Sequence, residues 1–224
     1  MGKGVGSVRT RRLGPEDYAE MPWKNGGGRT REIGIRPEGA TLSEGFLWRV
    51  SSAEVARGGP FSRFPGVDRT LLILSGKGMR LTLRPGPEGR GPGDERELLL
   101  REPLSPVAFS GDGETRGDLL GGPVRDFNVM VDRARARSRT RVLRAGEEAR
   151  AERFRGDWIL LFAAEGTLEA EGVPGLGPLR LAPGETLWAE AEEGEGPGEM
   201  EPRLRGTGRL IAVEIERIRE GGKG

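Results

Sequence analysis

The chain has 224 residues and a nearly balanced charge, 36 Lys+Arg against 35 Asp+Glu, for a net charge of +1. It has no Cys and no His, which excludes disulfides, Cys-ligated zinc, imidazole-ligated metals, thiol nucleophiles and every triad with a His base. The charge balance argues against a nucleic-acid partner, and only an all-oxygen metal site stays open, with no EF-hand-like acidic spacing to support one.

The basic N-terminus is not followed by an apolar stretch, and the longest apolar run, 158–164, is far too short to cross a bilayer. A soluble, cytoplasmic chain with no membrane partner is expected. Of the 36 cations 32 are Arg; Gln is absent, and Asn occurs twice, as Asn25 and Asn128. Loss of Asn, Gln and Cys is a heat-adaptation trend, so a thermostable chain is expected. The 39 Gly and 16 Pro sit between short apolar runs and read as turns between strands.

A short helix is predicted over 15–21, and MPWKNGGGRTREIGI follows at 21–35. Trp23, Lys24 and Asn25 precede Gly26, Gly27 and Gly28, and three glycines let the backbone approach a ligand closely. No Gly-Lys-Ser/Thr follows and the GxGxxG spacing is missing, so neither a P-loop nor a dinucleotide fingerprint is present and no cofactor is expected. Asn-Gly is also the strongest short hairpin signal. In a chain with only two side-chain amides, keeping one in that fragile pair points toward function as well.

Strands are predicted at 46–54, 70–75, 79–84, 97–101 and 107–110. Alternation in the first puts Phe46, Trp48 and Val50 on one face and Leu47, Arg49 and Ser51 on the other. Arg69, at the start of the second, joins Arg49 on an inner wall, where paired guanidiniums suit a carboxylate. The alternative is a structural salt bridge of Arg49 with Glu32 or Asp126. In the next strand, 126–132, Phe127, Val129 and Val131 form the apolar face. Asp126, Asn128 and Met130 point the other way, so a carboxylate and an amide two residues apart can read a polar ligand. The alternative there is a strand end with surface polar groups.

Arg133, Arg135, Arg137, Arg139 and Arg141 alternate along the following stretch. Residues 133–155 carry nine Arg and three Glu, while 185–201 carry seven Glu and no basic residue. A solvated link balanced by charge elsewhere in the molecule is favoured over an RNA-binding arm. Further strands are predicted at 140–143, 158–163, 167–171, 179–181, 186–191 and 210–218. Many short strands mean an all-β sandwich or barrel. A weak duplication relates 71–83 and 98–112 to 158–172 and 176–191. It suggests two β-barrels: 1–132 carrying the polar motifs, 133–155 an Arg-rich link, and 156–224 a mainly structural second barrel.

The motifs MPWKNGGG-x-T-x-E-I, F-x-W-R-x-S, GPFS-x-FPG-x-x-R-T-L and GP-x-x-D-F-N-V-M, ordered between Met21 and Arg133, resemble those of the HutD/Ves family. Gly34 departs from them, standing where many relatives have Ala. The resemblance implies a bicupin, two cupin-like (RmlC-like jelly-roll) β-barrels in one chain, without the usual cupin metal. It also implies an association with bacterial histidine utilisation, where a role in sensing or limiting N-formylglutamate is suggested. The motifs map onto Trp23, Lys24, Asn25, Gly26 to Gly28, Thr30, Glu32, Trp48, Arg49, Ser51, Phe61, Ser62, Phe64, Arg69, Asp126 and Asn128.

The expected function is metal-independent binding of a small carboxylate, in a regulatory or accessory role. Lys24, Arg49 and Arg69 would neutralise the anion, and Asn25, Ser51, Ser62 and Asn128 would supply hydrogen bonds. Trp23, Trp48 and Phe64 would wall the pocket, with Gly26, Gly27 and Asp126 beside them. One alternative is a metal-free isomerase, lyase or hydrolase of an acyl-amino acid or sugar, using Glu32, Asp126 and Lys24. Another is a macromolecule-interaction protein built on the arginine strip. Exposed sheet edges also leave room for a homodimer.

Overall fold

Short apolar runs punctuated by Gly and Pro become twenty-one strands and a single 3₁₀ turn among the described residues. The structure, a computed structural model, describes residues 6–23, 26–86 and 93–219. None of its helices is long and apolar enough to cross a membrane. The chain divides into two compact units: Tyr18–Ala136, and the described residues up to Asp17 together with those from Arg137 onward.

The first unit has a six-stranded sheet in the order Ala19–Pro22, Gly28–Arg36, Trp48–Val55, Val124–Asp132, Val67–Ser75, Val107–Ser110. Its four-stranded sheet runs Gly59–Pro60, Glu114–Leu119, Met79–Arg84, Arg96–Leu100. Ala53, Val55, Leu71 and Ile73 from the larger sheet pack with Met79, Leu81, Leu83 and Leu100 from the smaller one. Trp48, Val50, Leu72, Phe127 and Val129 alternate with the inward residues and are also buried. Burial of both faces explains the continuous apolar run Leu71, Leu72 and Ile73 in the Val67–Ser75 strand.

The second unit has a five-stranded sheet, in the order Val8–Leu13, Thr186–Ala191, Trp158–Glu165, Arg209–Arg217, Ala136–Arg144. A four-stranded sheet runs Arg150–Ala151, Arg203–Gly206, Leu168–Glu171, Leu179–Leu181, and Phe154–Gly156 pairs with Gly198–Met200. The core is apolar, with Ile159, Leu161, Leu187 and Ala212 packed with Leu168, Ala170, Leu181 and Leu204.

The duplication is visible in the pairing. Val67–Ser75 pairs with Val107–Ser110, and the strands between them, Met79–Arg84 and Arg96–Leu100, pair with each other. In the second unit Trp158–Glu165 pairs with Thr186–Ala191, enclosing the Leu168–Glu171 and Leu179–Leu181 pair.

Three expectations on organisation are corrected. The helix over 15–21 is only a 3₁₀ turn, Pro15–Asp17, after which Ala19–Pro22 pairs as a strand with Gly28–Arg36. The strand expected over 140–143 within the link is longer, Ala136–Arg144, and it is hydrogen-bonded at the edge of the five-stranded sheet, so that part of 133–155 belongs to the second barrel. The N-terminal boundary also differs, because Val8–Leu13 pairs with Thr186–Ala191, away from the barrel that follows it in sequence.

Candidate functional site

The inner face of the six-stranded sheet carries polar side chains in rows. Met130 stands between Arg49 and Arg69, Asn128 between Ser51 and Leu71, and Asp126 between Ala53 and Ile73. A side-chain period of two puts all of these on one face. They border a cavity of about 750 Å³ whose lining also includes Trp23, Gly27, Thr30, Phe61, Ser62, Phe64 and Met79. The exposed apolar side chains of Met21 and Leu42 contribute to the same lining.

The two arginines differ in their partners. Arg49 is buried; its Nε donates to Glu32 Oε2 at 2.6 Å and its Nη1 to Ser51 Oγ at 3.2 Å. Arg69, only 5% exposed, has no salt bridge among the described residues, and its Nε has no acceptor. Its guanidinium carbon lies 5.1 Å from the ring centroids of Phe61 and Phe109 and 5.8 Å from that of Phe64. The ring faces stabilise a cation but offer no lone pair. Burial pulls the Arg69 guanidinium down to about 10, so it keeps its charge at neutral pH.

Asp126 Oδ1 accepts the Ala53 backbone N–H at 3.0 Å. Burial pushes its carboxyl up to about 7, against the opposing pull of that hydrogen bond and of Arg69 and Arg49. The site therefore combines a neutralised Arg–Glu pair, an arginine that has no salt bridge and feels Asp126 only through space, and a carboxyl poised between its charged and neutral forms.

The glycine segment is a hairpin turn with one residue on the cavity. Trp23 N–H donates to the Gly28 carbonyl at 2.9 Å, and Gly26 N–H to the Trp23 carbonyl at 2.9 Å. Gly26 takes a φ of +64°, and a Cβ on Gly28 would sit 2.2 Å from the Glu54 carbonyl oxygen. Gly26 and Gly28 thus serve the turn, whereas Gly27 lines the cavity. Trp23 Nε1 donates to Thr30 Oγ1 at 2.8 Å, which fixes the indole. Lys24 and Asn25 lie outside the described residues.

Of the expected site residues, Trp23, Gly27, Arg49, Ser51, Ser62, Phe64, Arg69, Asp126 and Asn128 come together on the cavity. Trp48 does not line it. It alternates with Arg49 and so points to the opposite face of the sheet, where Arg36 lies 5.9 Å from its ring. Gly26 is absent from the lining too, and its carbonyl accepts from Arg57 Nη2 at 3.3 Å. Glu32 acts as the counter-ion of Arg49. Arg57 and Leu42 were missed because bend and turn residues carry no periodic signal, and Met21 because its strand, Ala19–Pro22, lies in the stretch expected to begin as a helix. Among the described residues no cluster of three carboxylates is placed to hold a metal ion.

Replacing Glu32 by Ala should leave the Arg49 cation buried and unpaired. We expect a loss of about 3 kcal/mol in urea unfolding, together with tighter carboxylate binding as Arg49 becomes available. Unchanged stability would show that the pair contributes nothing.

The arginine strip is not one continuous cationic surface. Arg133 donates to Asp68 Oδ1 at 2.8 Å, Ser110 Oγ at 2.9 Å and the Val67 carbonyl at 3.0 Å, and it also pairs with Asp112. Burial raises the Asp112 carboxyl, but the Gly66 N–H, Ser110 and Arg133 outweigh it and hold the group at about 2. Arg141 pairs with Glu214 at 3.2 Å, and Arg135 with Asp132 at 3.5 Å. The acidic stretch is engaged in the same way: Glu185 with Arg12, Glu199 with Arg155, Glu201 with Arg153.

Comparison with known proteins agrees with the fold and the motif set. The family model described as HutD matches residues 15–212. Over 157 residues the chain is 39% identical to an uncharacterised 21.2 kDa protein in the hutC 3′ region of Pseudomonas putida, covering 70% of this chain and 75% of that one. A conserved protein of unknown function from Pseudomonas aeruginosa PAO1 superposes with a TM-score of 0.77 at 36% identity, covering 93% of this chain and 99% of that chain. HutD from Pseudomonas fluorescens SBW25, in a structure described as a formate condition, gives 0.72 at 30% identity, covering 94% and 100%. More distant, at 10% identity and a TM-score of 0.64, Escherichia coli Ylba shares the fold alone. The architecture is a bicupin, with two cupin-like jelly-roll barrels in one chain.

Proposed function

The chain belongs to the HutD family, linked to the histidine-utilisation locus, and on that premise we propose that its first barrel is a metal-independent receptor for a small carboxylate. Arg69 carries the reading: a buried cation with no salt bridge among the described residues and an unpartnered Nε, bordering a cavity large enough for a metabolite. A buried charge is costly unless it is paired, and a carboxylate supplies both the charge and the acceptors that Arg69 lacks. Phe61, Phe64 and Trp23 give the rest of the ligand an apolar wall. Formate, which appears in the description of the related P. fluorescens structure, is the smallest such anion. N-formylglutamate is the larger one that the family resemblance suggests. The proposed role is regulatory or accessory.

The test is thermal stability against a panel of N-formylglutamate, glutamate, urocanate, formate and several sugar acids. A ligand at about 100 times its Kd should add about 2.7 kcal/mol, a midpoint shift of roughly 5–10 °C for a chain this long. A shift that disappears when Arg69 is replaced supports the reading. A flat panel, with no heat of binding by calorimetry, overturns it.

The position of Asp126 favours a second reading, in which the site also moves a proton on its ligand. A carboxyl held near neutrality is suited to general acid–base work. Turnover of the bound acid by the native protein, lost in Asp126→Asn with binding retained, would identify an enzyme.

A further inference from the structure

One polar atom of the cavity is left unused by an arginine–carboxylate pair. Asn128 Oδ1 is buried and has no hydrogen-bond donor, and the residue as a whole is only 8% exposed. An amide oxygen left in that state bears the full desolvation penalty of a buried acceptor. A leucine of similar size would escape that cost, and its row neighbour on one flank is already Leu71. On the other flank Ser51 Oγ accepts from Arg49 Nη1 at 3.2 Å. The guanidinium of Arg49 therefore reaches into the row of Asn128 itself. Side chains directly opposite on antiparallel strands stand about 5 Å apart at Cβ. Arg69, the cation of the carboxylate reading, stands diagonal to Asn128, two residues from its cross-strand partner Leu71, and diagonal neighbours about 7–8 Å apart leave room between their polar ends for a carboxyl group and the substituent on its neighbouring carbon. The last torsion of an Asn side chain is soft, so Oδ1 can turn to meet a donor there.

Resting on the carboxylate reading above, we infer that the ligand carries a neutral O–H or N–H donor on the carbon next to its carboxylate, as in an α-hydroxy or α-acylamino acid, and that Asn128 Oδ1 accepts that hydrogen bond. The donor is neutral because an α-ammonium group would be brought up against Arg49 and Arg69. Bare carboxylates satisfy the arginine and leave the amide oxygen orphaned. Asn128 thereby sets specificity, whereas Arg69 supplies the general affinity for anions.

The experiment is a calorimetric titration of the full chain with matched acids. One series is propionate, lactate and 2-methoxypropionate. The other is alanine, N-acetylalanine and N-acetyl-N-methylalanine. Lactate and N-acetylalanine should bind at least about tenfold more tightly than their methylated partners, since a site built around a hydrogen bond rejects ligands that cannot form it. Alanine should bind more weakly than N-acetylalanine. Asn128→Leu should reduce the preference within each series to about twofold or less. Equal binding of lactate and 2-methoxypropionate, or preference for the methylated acids, overturns the inference while the carboxylate reading stands. If no acid of either series binds, both readings fall. The comparison within native protein decides the matter even if the variant fails to fold.

Discussion

Asp126→Asn should raise the stability of the protein at pH 8 and flatten its pH dependence. The carboxyl is pushed by burial from 3.8 to about 7 in the folded chain. The folded state therefore holds a proton between about pH 4 and pH 7 that the unfolded chain has released. Stability contributed by that proton is complete below pH 4 and is lost as pH rises to 7; above 7 the full penalty of a buried carboxylate remains. Asn keeps the acceptor for the Ala53 N–H without the charge. The gain from the variant should thus grow from about pH 4 to pH 7 and then level off at something on the order of 4 kcal/mol. Urea unfolding at half-unit pH intervals measures it. Ligand binding should follow the same group, because an ionised Asp126 opposes an incoming anion. Carboxylate affinity should weaken above pH 7 in the native protein and stay level in the variant. Parallel pH profiles for the two proteins would mean that Asp126 ionises without penalty.

Arg69→Met should separate stability from binding. Met occupies a similar shape among Phe61, Phe64 and Phe109 and makes favourable sulfur–ring contacts. Removing a buried charge that has no salt bridge spares its desolvation, offset only by the lost Coulombic pull on Asp126. The ligand-free variant should therefore melt at or above the native temperature, while carboxylate binding falls by at least about 100-fold. Arg49→Met makes the contrast, since there Glu32 loses its partner and the protein should become less stable. If Arg69→Met still binds, the anion sits elsewhere in the cavity.

The strands that could be read from the sequence are those with apolar side chains facing inward. Met79–Arg84, Val107–Ser110, Leu179–Leu181 and Thr186–Ala191 appear with their expected bounds. Glu114–Leu119 escaped notice because its inward residues are Thr115 and Gly117, neither of which reads as apolar. Gly117 is small for a reason: a Cβ there would come within 2.7 Å of Met79 and Phe61. Val8–Leu13 was hidden by four polar residues in six, its hydrogen bonds being made to a strand far along the chain. The site was legible wherever alternation alone decides direction, which covers Arg49, Ser51, Asp126 and Asn128. Trp48 shows the same rule from the other side, since its parity with Val50 already excluded it from the wall that holds Arg49. What no pattern could supply is the asymmetry between the two arginines. It depends on Glu32, brought alongside Ser51 by strand pairing, and on three phenylalanines around Arg69, Phe61 and Phe64 from one loop and Phe109 from the strand paired beside it.

Among the described residues, the strand Val8–Leu13 pairs with Thr186–Ala191, which lies far along the chain. During synthesis it emerges long before that partner exists. The barrel of Tyr18–Ala136 is complete while the ribosome is still making the second one, so the two are expected to mature in succession. Throughout that interval the early strand must stay unpaired or be held off from wrong edges. Its three arginines, Arg9, Arg11 and Arg12, suit it to the wait, since charge keeps a lone strand soluble and discourages misassociation. The five-stranded sheet of the second barrel is therefore completed only once Thr186–Ala191 has been made and Val8–Leu13 can join it.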